Sequence, residues 1–181
     1  MSGDAWGYRH ATSCETFMVA DGLGHGAGAA EAAQEALSVF HEHPELSPIE
    51  LLEDMHRALK KTRGAAIAIA QIDMNAGKIR LSGVGNISAN ILSPGKKPRA
   101  IVSHNGTVGH VVSRIQEFTV PWEPNDLLVM HSDGISSHWD LDSFPGLAGK
   151  HPSVIASVIH QQATRGRDDA TVLVGRLQRA A

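Results

Sequence analysis

Met18-Val19-Ala20-Asp21-Gly22-Leu23-Gly24-His25-Gly26 joins two kinds of structure in one short stretch. Phe17 to Ala20 is an apolar run that reads as a buried strand, and the alanine-rich stretch after Gly26 reads as a helix. An aspartate at such a strand-to-helix corner is poorly placed for core packing and well placed to hold a cation. The glycines beside it carry no Cβ, so backbone carbonyls and amides can approach a charged ligand closely. Alone, an Asp-Gly pair is ordinary turn chemistry. It gains weight because Asp4, Asp133 and Asp168-Asp169 occupy similar corners.

Composition excludes several classes of function. At 181 residues the chain has the length of one domain with a substantial core, and 1–181 is expected to fold as a single unit. A net charge of −3 leaves no basic footprint for nucleic acid and no polybasic patch for a membrane surface. Aromatic residues, at 4%, are too few for base-stacking platforms. The single cysteine, Cys14, rules out an internal disulfide framework and suits a reducing compartment. No apolar run approaches the roughly 20 residues of a membrane span. Met1-Ser2-Gly3-Asp4 has neither the basic nor the apolar region of a signal peptide. A cytoplasmic protein with no nucleic-acid or membrane partner is the expectation. The 11 histidines are scattered without zinc-ligand spacing.

The elements follow from periodicity and punctuation. Strands are expected at Gly3 to His10 and Glu15 to Ala20, then a helix from Ala27 to His43 with Ala30, Ala33, Leu37 and Phe40 at helical spacing. Ser47-Pro48-Ile49-Glu50 combines a serine cap, a proline in the first turn and a glutamate three residues after the cap, which starts a second helix. A run of β material follows: Ala65 to Asp73, Lys78 to Gly85, Ile87 to Leu92, Arg99 to Val102, Ile115 to Val120 and Asp126 to His131. Asn75-Ala76-Gly77, Pro94-Gly95 and Pro124-Asn125 separate these segments as turns. A helix at Ser153 to Thr164 and a strand at Ala170 to Leu177 close the chain. This order predicts an α+β fold with helices packed on antiparallel sheets.

Each aspartate of interest falls where an apolar strand meets a turn. Mg²⁺ and Mn²⁺ prefer carboxylate, carbonyl and water oxygens. Several carboxylates crowded at one sheet edge repel one another unless cations neutralise them. A cluster of that kind is what a two-metal hydrolase needs, because the metals acidify a water and stabilise in-line displacement at phosphorus. By contrast, Asp140 and Asp142 read as a solvated turn or a helix cap. His131, on an apolar strand, reads as a satisfied core histidine. Gly106-Thr107-Val108-Gly109-His110 lacks the lysine and following helix of a phosphate loop and reads as a connection beside the substrate groove.

The order of these motifs is more specific than any one of them. Gly3-Asp4-Ala5-Trp6, Val19-Ala20-Asp21-Gly22-Leu23-Gly24-His25-Gly26, Arg63-Gly64-Ala65, Gly83-Val84-Gly85-Asn86, His131-Ser132-Asp133-Gly134 and Arg167-Asp168-Asp169-Ala170-Thr171 occur in succession. Together they resemble the metal-dependent serine/threonine protein phosphatases (PPM), and within them the SpoIIE-type branch with its compact RsbX-like stressosome phosphatases. The resemblance extends from about Gly3 to Leu177.

That resemblance implies a four-layer αββα sandwich of two mainly antiparallel sheets flanked by helices. It also implies a centre of two Mn²⁺ or Mg²⁺ ions at one end of the sheets. Asp21 would bind both ions and Gly22 would offer its carbonyl. Asp133 and Asp168 would complete the core ligands, Asp4 would act directly or through water, and Asp169 would stand behind Asp168. A metal-bridging hydroxide would then attack phosphoserine or phosphothreonine without a phosphoenzyme. The implied substrate is a phosphorylated STAS-domain protein of a stress-signalling complex, or alternatively a free anti-anti-sigma factor. A silent relative acting as a binding module is the competing class, against which the retention of all the aspartates speaks.

Two departures from the wider family bear on mechanism. Leu23 stands where many relatives carry a histidine acid, and His25 is either its replacement or a helix-capping residue. Asp4 lies so near the start that no room remains for the strand and phosphate-gripping arginine that precede it in many relatives. Phosphate affinity is then expected to rest on the metals, and a sheet edge is expected to be left open to another chain.

Overall fold

The strand expected before the Asp-Gly corner is longer than its apolar run. β2 spans Cys14–Gly22 because it has partners on both sides, β1 (Asp4–Ala11) and β3 (Ala65–Asp73). Asp21 therefore lies inside the ladder, opposite Asp4 on one side and Ala66 on the other. The computed structural model describes residues 2–11, 13–101, 103–166 and 168–177; Val102 of an expected strand and Arg167 of the last motif lie outside these.

Five strands form the first sheet in the order β1-β2-β3-β4-β7, with β4 at Lys78–Val84 and β7 at Glu117–Pro121. Four form the second in the order β6-β5-β8-β9: β5 is Ser88–Leu92, β6 Arg99–Ile101, β8 Leu127–His131 and β9 Val172–Gly175. All pairings between these strands are antiparallel. The expected run of β material is thus dealt between two sheets. The chain leaves the first at Gly85-Asn86, returns for β7, and leaves it again for β8.

Phe17, Val19, Ala68, Ala70, Ile72 and Leu81 of the first sheet meet Ala89, Ile91, Leu128 and Met130 of the second in the central core. On the outer face of the first sheet lie α1 (Ala27–Glu42) and α2 (Pro48–Ala58). On the outer face of the second lies α3 (Pro152–Ala163), which packs its Ile155 and Ile159 in one cluster with Val129 and Ile135. The architecture is the α+β, four-layer αββα arrangement expected. Among the described residues no helix is long and apolar enough to cross a membrane.

Local chemistry explains the helix ends. Glu50 Oε2 accepts from the Ser47 amide at 2.9 Å and the Ser47 hydroxyl at 2.6 Å, the return half of a capping box. Arg9, reaching from β1, caps the far end of α1: it donates to the carbonyls of Phe40 (2.6 Å), His43 (2.8 Å) and Leu46 (3.2 Å). Asp140 caps a 3₁₀ turn at Leu141–Ser143 by accepting from the Asp142 amide at 3.0 Å, one of the two roles expected for it.

The alanines of α1 let it approach the sheet closely, with Ala29, Ala32, Ala33 and Ala36 fully buried. At Gly22 the approach is so close that a Cβ would lie 1.9 Å from the Ala29 carbonyl oxygen. Among the described residues β1 has a strand partner on one side only, and Trp6 and Tyr8 on it are exposed. Gly22→Ala is expected to lower the melting temperature by about 5 °C or more, the usual scale for overpacking in a chain of this size. Gly149→Ala, which meets nothing within 4 Å, should leave it within about 2 °C. Thermal unfolding followed by circular dichroism tests both.

Candidate metal centre at the sheet ends

Strand register and loop contacts gather the expected aspartates at one end of the sandwich. Asp4 and Asp21 are cross-strand neighbours in the β1–β2 ladder, where like charges directly opposite each other destabilise the pairing. Ser132, which follows β8, links the second sheet to this pair: its hydroxyl donates to Asp4 Oδ2 at 2.6 Å and accepts from the Thr171 amide at 3.0 Å. Asp133 follows directly, and its Oδ2 accepts from Asn86 Nδ2 at 2.5 Å.

Asp168 and Asp169 approach from the loop before β9 and have different surroundings. The Gly3 amide donates to Asp169 Oδ2 at 2.6 Å, and the Gly22 amide donates to the Gly3 carbonyl at 2.9 Å. Asp169 is thereby tied to the backbone that carries Asp4 and Asp21. Its carbonyl also lies where a Cβ on Gly134 would sit, at 2.0 Å. Asp168 remains exposed and, among the described residues, accepts only from the Asp169 amide at 2.9 Å. The two neighbouring carboxylates thus differ in exposure and in what holds them.

The electrostatics bear the mark of crowding. Burial raises the Asp4 carboxyl above the usual range; the Ser132 and Thr171 hydroxyls oppose this, and Asp169 and Asp168 add to it. Asp4 is 8% exposed, and its Oδ1 is buried without a hydrogen-bond partner among the described residues. Asp21 is pushed up to about 7, first by burial and then by Asp4, Asp133, Asp168 and Asp169. Among the described residues, every charge acting on it is another carboxylate.

A buried carboxylate oxygen without a donor, beside a carboxyl raised by its neighbours, fits a hard divalent cation. The donors are all oxygens, as Mg²⁺ and Mn²⁺ require. Among the described residues no three His, Cys, Asp or Glu side chains close around one point. Carbonyls such as that of Gly22, and water, would have to complete a shell. A cavity of about 880 Å³, lined by Leu92, Lys97, Asp140 and Arg176, lies at the other end of the second sheet. It plays no part in this centre.

Asp4, Asp21, Gly22, Asp133, Asp168 and Asp169 are therefore brought together. His25 is exposed and makes no side-chain hydrogen bond among the described residues; the N-cap of α1 is Gly26, with no side-chain cap bond, so the capping role for His25 does not hold. His131 is buried as expected but only half satisfied: Nδ1 lies 2.9 Å from the Ser132 carbonyl, and Nε2 has no partner. Burial holds its pKa below the usual imidazole value. The Gly106–His110 loop bonds reciprocally to Ala65 through Val108 and borders the corner near Leu23, whose amide donates to the Gly64 carbonyl. Sequence reasoning assigned no role to Gly3, Asn86 or Ser132, although all three lie inside the quoted motifs.

The raised Asp21 has a consequence for stability. Its folded-state value of about 7 lies above the ordinary 3.8, so its stabilising contribution is present below about pH 4 and is lost as pH rises through about 7. Metal-free protein in EDTA should therefore melt lower at pH 8 than at pH 5.5. His131, with a depressed value, works in the opposite direction. Asp21→Asn should accordingly flatten or reverse the trend, and excess Mg²⁺ should restore stability at pH 8. Differential scanning calorimetry across this range provides the check.

Comparison with known proteins agrees with this geometry. The family model described as Stage II sporulation protein E (SpoIIE) matches residues 13–178. Phosphoserine phosphatase RsbX of Bacillus subtilis (strain 168) is 24% identical over 159 residues, which cover 88% of this chain and 79% of RsbX. A crystal structure of RsbX in complex with magnesium superposes with a TM-score of 0.85 at 22% identity, covering 98% of this chain and 88% of that one. A structure described under the bacterial stressosome, as a modular system adapted to control secondary messenger signalling, gives a TM-score of 0.86 at 27% identity, covering 96% and 90%. With nearly the whole chain matched by the family model and the fold shared with RsbX, the chain belongs to the SpoIIE family.

Proposed function

We propose that this chain is a metal-dependent protein serine/threonine phosphatase acting, as one domain, on a phosphorylated STAS-domain protein of a stress-signalling complex in the cytoplasm. The observation that carries the reading is the register pairing of Asp4 with Asp21, with Asp133, Asp168 and Asp169 close enough to raise Asp21. Nothing in ordinary folding rewards such a cluster. Its relative RsbX is a phosphoserine phosphatase, which supports the same chemistry here.

Asp21, Asp133 and Asp168, with the Gly22 carbonyl, would hold two Mg²⁺ or Mn²⁺ ions, and Asp4 would act directly or through water. When bound, such ions neutralise phosphate charge and make water acidic enough to serve as a nucleophile near neutral pH. Ser132 holds Asp4 in place, Asn86 orients Asp133, and the Gly3 amide fixes Asp169 behind Asp168. His25, exposed beside the corner, is a candidate proton donor to the leaving serine oxygen. No cysteine is needed as nucleophile, and Cys14 lies at the opposite end of β2 from Asp21.

Hydrolysis of p-nitrophenyl phosphate should require Mn²⁺ or Mg²⁺ and fall by at least about 100-fold in Asp21→Asn and Asp133→Asn, as expected when metal ligation is disrupted. Full activity in EDTA or in either variant rejects the two-metal reading. A phosphoserine-labelled STAS protein from the same genome should lose its label within minutes under the same conditions. Retained label, with p-nitrophenyl phosphate turned over, rejects the substrate assignment and keeps the chemistry.

A further inference from the structure

Arg63 is the part of the quoted motifs that the metal centre does not use. Its backbone is held from three directions. Thr62 Oγ1 donates to the Leu59 carbonyl at 2.8 Å and accepts from the Gly64 amide at 3.0 Å. His110 Nε2 lies 3.0 Å from the Thr62 carbonyl. The Gly64 carbonyl accepts from the Leu23 amide at 2.9 Å. A residue between such anchors has little freedom to drift.

Its side chain lies over the start of α1, where two glycines make room for it. A Cβ on Gly28 would sit 2.6 Å from Arg63 Nε, and one on Gly24 would sit 3.2 Å from Nη1. Nη1 donates to the His25 carbonyl at 3.3 Å, which leaves most of the guanidinium's five N–H groups without an internal acceptor. The side chain is exposed and forms no ion pair among the described residues, and the first turn of α1 has no acidic residue. Several other arginines are engaged: Arg99 with Asp126, Arg57 with Asp54, Arg80 with Gln71, and Arg9 and Arg176 with backbone carbonyls. Exposed Arg114 and Arg165 lack the glycine-lined seat that orders the Arg63 stem. A cation ordered by its stem but lacking a partner is prepared for an external anion.

The location decides which anion. Gly22 pairs with Ala65 and Leu23 bonds to Gly64, so the next position places Arg63 beside Gly24, three residues past Asp21. Asp21 shares the inter-sheet face of β2 with Phe17 and Val19, whereas Arg63 lies against α1 on the outer side. The charges that act on Asp21 are carboxylates, and Arg63 is not among them. The guanidinium therefore stands beside the metal centre rather than in it. Exposed Leu23 lies between the two. An extended peptide bound across the carboxylate corner would carry its flanking side chains past Leu23 toward the guanidinium.

We infer that Arg63 is a specificity residue, receiving an acidic side chain that flanks the phosphoserine of the protein substrate. The inference rests on the phosphatase reading for the identity of the bound peptide. It assigns the arginine to recognition and not to the phosphoryl group.

The test uses two phosphoserine peptides, one with glutamates at the flanking positions on either side and one with alanines there. Binding is measured by fluorescence anisotropy in EDTA, and hydrolysis by phosphate release in Mn²⁺. Wild-type protein should prefer the acidic peptide by about three- to tenfold, the range of a charge-assisted pair at a surface. Arg63→Met, which keeps a stem against Gly28, should bring that preference to about one, and Arg63→Lys should retain part of it. A wild-type protein without preference, or a preference that survives in Arg63→Met, overturns the proposal. Failure of wild-type protein to hydrolyse p-nitrophenyl phosphate overturns the phosphatase reading instead, and the binding arm still decides Arg63.

Discussion

The repulsion between Asp4 and Asp21 is the constraint on which the rest of this end of the molecule depends. Strand pairing forces the two carboxylates to face each other, and the nearest neighbours that follow, Asp133, Asp168 and Asp169, are also acidic. A fold optimised for stability alone would place a cation or a neutral residue there. The surrounding polar contacts limit the damage without removing it. Ser132 supplies one donor to Asp4, Asn86 one to Asp133 and the Gly3 amide one to Asp169, while Asp4 Oδ1 is left without any. The residual negative charge is available to cations from solution.

Precision in this corner comes from positions where a side chain would not fit. Gly22 lies under the Ala29 carbonyl and Gly134 against the Asp169 carbonyl, each too close for a Cβ. These contacts lock α1 and the loop before β9 to the ends of β2 and β8, so that carboxylates from distant parts of the chain share one space. Ser132 makes the connection between the sheets, bonding to Asp4 on one side and Thr171 on the other. The close backbone approach at Gly22 lies directly beside Asp21.

Much of this was legible in the residues, and the exceptions have physical causes. Ala65–Asp73 was bounded correctly because turn residues punctuate both ends, and α2 was recognisable from its serine, proline and glutamate. The final strand was expected over Ala170 to Leu177 but spans Val172–Gly175, since apolar character alone cannot say where a pairing partner stops. β2 ran past its apolar residues to include Asp21 and Gly22 for the converse reason. The division of the β-run into two sheets left no local trace: buried strands of either sheet have the same apolar alternation. His131 was expected to be satisfied, yet its Nε2 is buried without a hydrogen-bond partner among the described residues, and its ring meets that of Trp139 edge-on at 6.1 Å between centroids.

By itself, the amino-acid sequence determined the elements, the α+β class and the identity of the acidic residues, because hydrophobic period, turn chemistry and motif order are local properties. It also carried Arg63 and Asn86 within recognisable motifs without saying what either touches. Tertiary structure alone decided that Asp4 faces Asp21, that Ser132 bridges the sheets, that Asp168 is open while Asp169 is held, and that Arg63 lies outside the carboxylate cluster. Those facts depend on register and on contacts between residues more than a hundred positions apart, such as Ser132 with Asp4 and Gly3 with Asp169. A linear pattern of side chains does not encode separations in space until the sheets have closed.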